Sequence, residues 1–272
     1  MITSSIVLYK SKRDDVETVI QCAGASVIDE IYVVDNSPGN ELETFVRQLS
    51  PKVTYLFSGK NTGYSAGHNT GIRRAIQKGS LYHVVLNPDI VFDKNTIGQI
   101  VDYMDHHPEI GQLLPKVVYP GGEIQYLCKL IPTPFDLIFK RFIPAKLTER
   151  RLRKFQLQFT GYDKEMNIPY LSGCFMFFRV SALRKVGLFD ERFFMYPEDI
   201  DMTRRMHRFY KTLFYPQVTI IHAHAAESYK SRKMLWIHIN NMIRYFNKWG
   251  WIFDRERTLI NRKVLRELGY NK

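Results

Sequence analysis

The chemistry of this chain concentrates in a few short polar runs. The densest is Tyr196-Pro197-Glu198-Asp199-Ile200-Asp201, three carboxylates within four residues, placed just after Phe189, Phe193 and Phe194. Carboxylates crowded beside apolar rings are hard to ionise, because burial and mutual repulsion both disfavour the charged form. A carboxylate in that state suits general-base work near neutral pH. The same spacing also fits a helix N-terminus, where acidic side chains favour the positive end of the dipole. A second acidic element, Asn87-Pro88-Asp89, tips the balance toward chemistry. A carboxylate at such a strand end can hold Mg²⁺ or Mn²⁺ bridging a diphosphate, since both cations prefer hard oxygen ligands. His222 and His224 close another apolar run; two apart in a strand they point the same way, so one of them could complete a metal site.

Two further runs suit a nucleotide. Asp35 and Asn36, before Ser37, can accept bonds from a ribose hydroxyl or a base N–H, although Asp-Asn turns are common. The stretch from Asn61 to Gly71 carries Gly63, Gly67 and Gly71, with Tyr64, Ser65 and Asn69 between them. Glycines before a helix let backbone N–H groups approach a phosphate or sugar, and the helix end adds positive potential. No Gly-Lys-Ser/Thr follows, so this is not a Walker loop, and it follows the third strand rather than the first, unlike the dinucleotide fingerprint.

The elements that must position these runs read as alternating strands and helices. Strands are expected at 4–9, 31–34, 53–57 and 83–86, with helices at 13–24, 41–49, 68–78 and 95–107 between and after them. This alternation predicts a doubly wound α/β sheet, mostly parallel, with ligands at the carboxyl ends of its strands. Asp35, the 59–67 loop and Asp89 all fall at such ends and should share one crevice. Residues 113–135, rich in Pro, Gly and short strands, read as a loop region over the site. A basic amphipathic helix is expected within 140–159, a strand over 170–180, short helices over 181–186 and 199–210, a strand over 212–221, and a helical tail over 229–268.

With 272 residues the chain can build one large core or two small ones. Cys22, Cys128 and Cys174 are odd in number and widely spaced, which fits a reducing compartment rather than a disulfide framework. No apolar run approaches the roughly 20 residues of a membrane-spanning helix. The start of the chain reads as a first strand rather than a signal peptide. A net charge of +12 points to an anionic partner. Basic residues cluster in 140–154 and in the tail, interleaved with Phe139, Phe142, Phe155, Trp236, Trp249 and Trp251, a pattern that favours a membrane surface over nucleic acid.

The ordered series Asp35-Asn36-Ser37, Asn61 to Gly67, Leu86 to Asp89, Ser172-Gly173-Cys174-Phe175-Met176, Phe189 to Phe194, Tyr196 to Asp201 and His222 resembles the family 2 glycosyltransferases, and within them the bacterial rhamnosyltransferase-type enzymes of cell-surface polysaccharide assembly. The resemblance covers about residues 3–228. It implies a GT-A nucleotide-sugar fold, an inverting mechanism and a divalent cation. Carried over, Asp35 and Asn36 would meet the nucleoside. Asn61, Gly63, Tyr64, Ser65, Gly67 and Asn69 would hug the nucleotide-sugar, with Asn87 and Asp89 at its diphosphate. Ser172 and Gly173 would line the acceptor side. Asp199, beside Glu198, would be the base, and Asp89 with His222 would bind Mg²⁺ or Mn²⁺. The expected organisation is a catalytic domain over 1–228, with a nucleotide half at 1–112 and an acceptor half at 113–228, followed by a basic aromatic helical region at 229–272.

The resemblance points to transfer of L-rhamnose from dTDP-rhamnose to a lipid-linked glycan, by an enzyme peripheral on the cytoplasmic face of the inner membrane. Other donors, such as UDP-galactofuranose, UDP-glucose or UDP-N-acetylglucosamine, remain alternatives. So does a non-catalytic membrane or nucleic-acid-binding module, and the tail helices could instead pack on the catalytic domain or pair two protomers into a homodimer.

Overall fold

A computed structural model describes residues 1–139, 143–223 and 232–270. His224 and the basic pair Lys140–Arg141, singled out above, lie outside the described residues. The first half follows the expected alternation: β1 (Ile2–Leu8), α1 (Arg13–Ala25), β2 (Glu30–Asp35), α2 (Glu43–Leu49), β3 (Val53–Phe57), α3 (Gly63–Gln77), β4 (Tyr82–Leu86), β5 (Ile90–Val91) and α4 (Thr96–His106). β1, β2 and β4 are buried on both faces, as in a sheet covered by helices on two sides. The helices bury one stripe each, for instance Val16, Val19, Ile20 and Ala23 of α1.

The second half adds β6 (Ile110–Val118), β7 (Cys128–Lys129), α5 (Pro134–Leu137), α6 (Ala145–Phe155), β8 (Met166–Asn167), β9 (Tyr170–Leu171), β10 (Phe175–Arg179), α7 (Val180–Val186), α8 (Glu198–His207), β11 (Lys211–His222), α9 (Arg232–Trp249) and α10 (Arg255–Glu267). The main sheet has nine strands, in the order β3-β2-β1-β4-β10-β6-β11-β5, with β8 on β11. The pairings make β1, β2, β3, β4, β6 and β11 share one direction, while β10, β5 and β8 run against it. The sheet is therefore mostly parallel by direction, with one antiparallel strand wedged at its centre.

Two expectations change. Residues 113–118 are not part of a loop but the body of β6, a buried central strand. Pro115 argued against a strand, since proline cannot donate to a ladder. It is accommodated at a register break, where β11 carries extra residues between Tyr215 and Thr219. The single strand expected over 170–180 is two, β9 and β10, interrupted at Ser172-Gly173-Cys174. That interruption lies at the crevice.

The tail does not stand apart from the rest. Met242, Tyr245 and Phe246 of α9 and Val264 of α10 are buried in the same apolar core as β1, β4 and β6. Arg204 of α8 is 1% exposed and forks onto Asp254 just before α10, with both guanidinium bonds at 2.8 Å, while Glu256 accepts from the same group. Removing one partner of such a buried network leaves a charge stranded in low dielectric.

Candidate active site

The carboxyl ends of β4 and β11 meet through β5. The antiparallel pairing of His222 with Ile90 sets Asp89 beside His222, and Ala223 N–H donates to Asp89 C=O at 3.1 Å. His222 Nε2 stands 3.4 Å from Asp89 Oδ1. On the other side of the ring, His222 Nδ1 lies 2.9 Å from Gln125 Oε1. Burial works against a charged ring here, but the Asp89 carboxylate and the adjacent Cys174 sulfur favour a proton on the nitrogen facing Asp89, the place a cation would take.

The pair suits a divalent cation. Ligand bonds of about 2.1 Å put two neighbouring ligands of one cation on the order of 3 Å apart, close to the observed separation. A carboxylate oxygen and an imidazole nitrogen form a donor set that Mn²⁺ accepts. Among the described residues no group of three His, Cys, Asp or Glu side chains forms a closed cage. Among the described residues Asp89 and His222 are the ligands the protein would supply, and substrate oxygens could complete the set, as is usual where a cation meets a phosphate.

Across the crevice, α8 begins at Glu198, so Glu198 and Asp199 sit in its first turn. Asp199 is partly exposed, while Glu198 is buried and its Oε2 has no hydrogen-bond partner. Desolvation, reinforced by the Asp199 charge, pushes the Glu198 carboxyl well above the usual range. Asp199 is also raised by burial, against the opposing pull of Lys129 and two amides. Those amides are Ile200 N–H to Oδ1 at 2.8 Å and Gly173 N–H to Oδ2 at 3.1 Å. Of the pair, Asp199 is the one equipped to ionise at the crevice, and Glu198 the one that keeps its proton.

Gly173 connects the base to the glycine-rich segment. Its C=O accepts from Tyr64 O–H at 2.6 Å, and a Cβ in its place would stand 3.1 Å from Asp199 Cβ. Burial holds the Tyr64 hydroxyl protonated, and the neighbouring acidic pair reinforces this, which keeps it a donor. Ser172 N–H donates to Leu127 C=O at 3.2 Å, leaving its side chain at the partly exposed edge of the crevice.

The glycine-rich segment is itself helical, since α3 starts at Gly63 rather than at residue 68. Its side chains clasp the 189–194 segment. Ser65 O–H donates to Phe193 C=O at 2.7 Å, and Asn69 brackets Phe189, donating to its C=O at 2.9 Å and accepting from its N–H at 3.0 Å. Gly63, at φ +85°, has no room for a side chain: a Cβ would lie 2.4 Å from Phe194 C=O. Gly67 lies against Val7, where a Cβ would come within 2.7 Å. Asn61 Oδ1 caps the turn by accepting from Gly63 N–H at 3.0 Å.

At the end of β2, Asp35 is buried, accepting from Tyr55 O–H at 2.7 Å and from Ser37 N–H at 2.8 Å. Asn36 donates to Gly63 C=O at 3.1 Å and accepts from Thr62 O–H at 3.0 Å. These two residues therefore shape the wall beside α3. Asn87 donates its N–H to Cys174 C=O at 2.9 Å, placing its side chain near Asp89 at the partly exposed rim.

The third carboxylate of the acidic motif turns away from the crevice. Asp201 is fully buried and receives Arg205 Nε, Trp249 Nε1 and Lys248 Nζ within 2.6–2.8 Å. Reasoning from sequence missed Gln125, Lys129 and Cys174. The signal available for Gln125 was a lone amide within the apolar run Ile124 to Cys128.

The geometry joins a raised carboxylate at a helix start to a two-ligand cation position. A model of the family "Glycosyl transferase family 2" matches residues 16–187, more than half of the chain. An N-acetylglucosaminyl-diphospho-decaprenol L-rhamnosyltransferase of Mycobacterium tuberculosis is 26% identical over 214 residues, 73% of this chain and 67% of that protein. The low-salt glycan biosynthesis hexosyltransferase Agl10 of Haloferax volcanii is 30% identical over 215 residues, 75% of this chain but 60% of its own length. The mannosyltransferase PcManGT of Pyrobaculum calidifontis, solved with GDP-Man and Mn²⁺, superposes with a TM-score of 0.59 over 100% of this chain and 75% of that one; at 14% identity the likeness concerns the fold. The chain belongs to glycosyl transferase family 2.

Proposed function

We propose that this glycosyltransferase is inverting and moves L-rhamnose from a dTDP-linked donor to a lipid-linked glycan acceptor at the cytoplasmic face of a membrane. The observation that carries the catalytic part is Asp199. It is partly exposed at the crevice, raised by burial, oriented by Gly173 N–H, and placed on the helix start that also buries Glu198. The sugar and acceptor rest on the motif pattern and on the mycobacterial relative, whose printed name couples rhamnose to a diphospho-decaprenol acceptor.

In this reading Asp199 takes the proton of the acceptor hydroxyl as that oxygen attacks the anomeric carbon and the bond to the diphosphate breaks. Glu198, still protonated, spares the site a second negative charge. Tyr64 and Gly173 fix the base, so that its orientation is set before substrate arrives. Asp89 and His222 would hold Mn²⁺ or Mg²⁺, which supplies Lewis-acid stabilisation of the departing diphosphate.

The test is a panel of nucleotide-sugars scored for diphosphate release with a polyprenyl-diphosphate-linked acceptor. Turnover with dTDP-rhamnose above all UDP-sugars supports the proposal. Selective turnover of a UDP-hexose would replace dTDP-rhamnose as the donor. No diphosphate release from any donor would leave only a non-catalytic module.

A further inference from the structure

The hairpin after β6 brings one buried amide under the metal position. Val118 bridges Ile124, and Gln125 N–H donates to Val117 C=O at 2.9 Å, so Gln125 lies in register with the end of β6. β6 runs parallel to β11 with Val118 opposite Ile221, which places Gln125 next to His222. The side chain then makes two bonds to that single residue. Nε2 donates to His222 C=O at 2.6 Å, and Oε1 faces His222 Nδ1 at 2.9 Å. Gln125 is 4% exposed, so neither bond competes with bulk water.

The two bonds fix each other's polarity. His222 C=O can only accept, and Val118 C=O stands 3.5 Å from the same Nε2. Turning the amide over would set Oε1 against two carbonyl oxygens, so the NH₂ group must face them. Oε1, an acceptor, then faces Nδ1, and Nδ1 must carry the hydrogen. The other nitrogen, Nε2, is the one turned toward Asp89. A ligating imidazole needs this arrangement, with the far N–H held by an outer partner and the near lone pair aimed at the ion.

We propose that Gln125 is a positioning residue that sets the Nδ1–H form of His222 and aims Nε2 at the cation position beside Asp89. The inference rests on the reading of Asp89 and His222 as cation ligands. It adds a residue outside every motif of the acidic and glycine-rich runs, with a role that acts through His222 rather than on substrate.

Mn²⁺ binding to the full chain in the presence of UDP or dTDP tests it, read by electron paramagnetic resonance for affinity and by nitrogen spin-echo modulation for imidazole ligation. The wild type should show nitrogen modulation that His222→Ala abolishes. Gln125→Leu should bind Mn²⁺ about 10–100-fold more weakly, the cost seen for losing an outer partner of a ligand, and lose most of the modulation. Gln125→Met, closer in length, should behave like Gln125→Leu. Gln125→Glu keeps an acceptor opposite Nδ1 and should restore the modulation if it folds. Circular dichroism of each variant separates this effect from unfolding. Wild-type affinity and modulation in a folded Gln125→Leu or Gln125→Met variant would overturn the role of Gln125 alone. Absence of nitrogen modulation in the wild type, with Asp89→Ala leaving Mn²⁺ affinity unchanged, would instead remove the cation site and this inference with it.

Discussion

Two sets of carboxylates, one on each side of α8, have the same chemistry and opposite surroundings. On the crevice side, Glu198 and Asp199 are raised by burial and have no arginine beside them among the described residues. On the far side, Asp201 is gripped by Arg205, Lys248 and Trp249, and Asp254 by Arg204. Asp190 follows the same rule: hydrogen bonds from Arg192, joined by Lys248, hold it well below the usual carboxylate range. Within one helical turn the chain thus carries a desolvated pair and an anchor. What separates them is the partner supplied by the C-terminal helices, which neutralise one face of α8 and leave the other to the substrate.

The sharpest way to break this contrast is to neutralise one carboxylate on each face. Asp199→Asn should lower transfer by about 10²–10⁴, the usual contribution of a positioned base, while nucleotide binding by calorimetry stays near wild type. Near-full turnover in Asp199→Asn, with a dead Glu198→Gln, would move the base to Glu198. On the far face, Arg204→Met should cost about 3–5 kcal/mol of stability in denaturant titration, because it strands the buried Asp254, while Glu256 keeps Arg208. Loss of activity in Arg204→Met should track the loss of folded protein. A stable Arg204→Met enzyme with impaired turnover would mean that the two faces are not independent.

Chelation probes the opposite wall of the crevice. EDTA should stop transfer and Mn²⁺ or Mg²⁺ should restore it, and Asp89→Ala should remain inactive at Mn²⁺ concentrations that saturate the wild type. Full activity in chelator would detach Asp89 and His222 from catalysis.

Much of this was readable in the sequence. Strand–helix alternation through β4, and the apolar runs that end at Asp35 and Asp89, come from local periodicity, which survives folding almost unchanged. The desolvation of the Glu198-Asp199 pair was legible because aromatic residues precede the acids. Three features were not legible. Ser65 and Asn69 look like phosphate contacts by type, but the backbone groups of Phe193 and Phe189, 128 and 120 residues away, claim their side chains. β6 was hidden by Pro115, whose missing donor only a bulged neighbour strand could excuse. Gln125 gave no motif because its partner, 97 residues away, is set by sheet register alone. Long-range pairing, not residue type, decides each case.

A smaller effect separates Glu198 from Asp199 by pH. A carboxyl whose folded pKa is raised above its unfolded value is protonated in the folded state while the unfolded chain is already ionised. Stability is then undiminished at pH below the unfolded value, about 4.5, and declines as pH rises toward the folded pKa. Glu198→Gln removes this penalty. Its thermal midpoint should match wild type near pH 4 and exceed it at pH 8. The wild-type transfer rate should rise across the acid limb at a pH above that of an ordinary aspartate, as a property of the coupled pair. A constant difference in thermal midpoint from pH 4 to pH 8 would refute the assignment of the retained proton to Glu198.

The contrast between the two faces of α8 also bears on the proposed membrane attachment. Arg244, Lys248 and Trp249 looked like membrane anchors, but Arg244 donates to Arg192 C=O at 2.8 Å and the other two bind Asp190 and Asp201. They hold the tail to the catalytic domain. No helix among the described residues is long and apolar enough to cross a membrane. Trp236 and the basic face of α6 stay exposed, and so does the turn between α9 and α10: Ile252 is 79% exposed and Phe253 96%, followed on the exposed side of α10 by Arg255, Leu259, Arg262 and Arg266. Apolar tips with arginines behind them match an anionic interface, where each basic residue contributes about 1 kcal/mol and buried rings add to it. Replacing Ile252 and Phe253 by serine touches none of the buried contacts, so folding and nucleotide binding should be unchanged. Co-sedimentation with phosphatidylglycerol vesicles at low salt should fall about tenfold or more in the double variant, since each apolar side chain gains roughly 1.5–3 kcal/mol when fully buried. Raising the salt should release the wild type as well. Equal sedimentation of wild type and double variant would assign membrane attachment to another surface, and recovery of both in the supernatant would remove the membrane from the proposal.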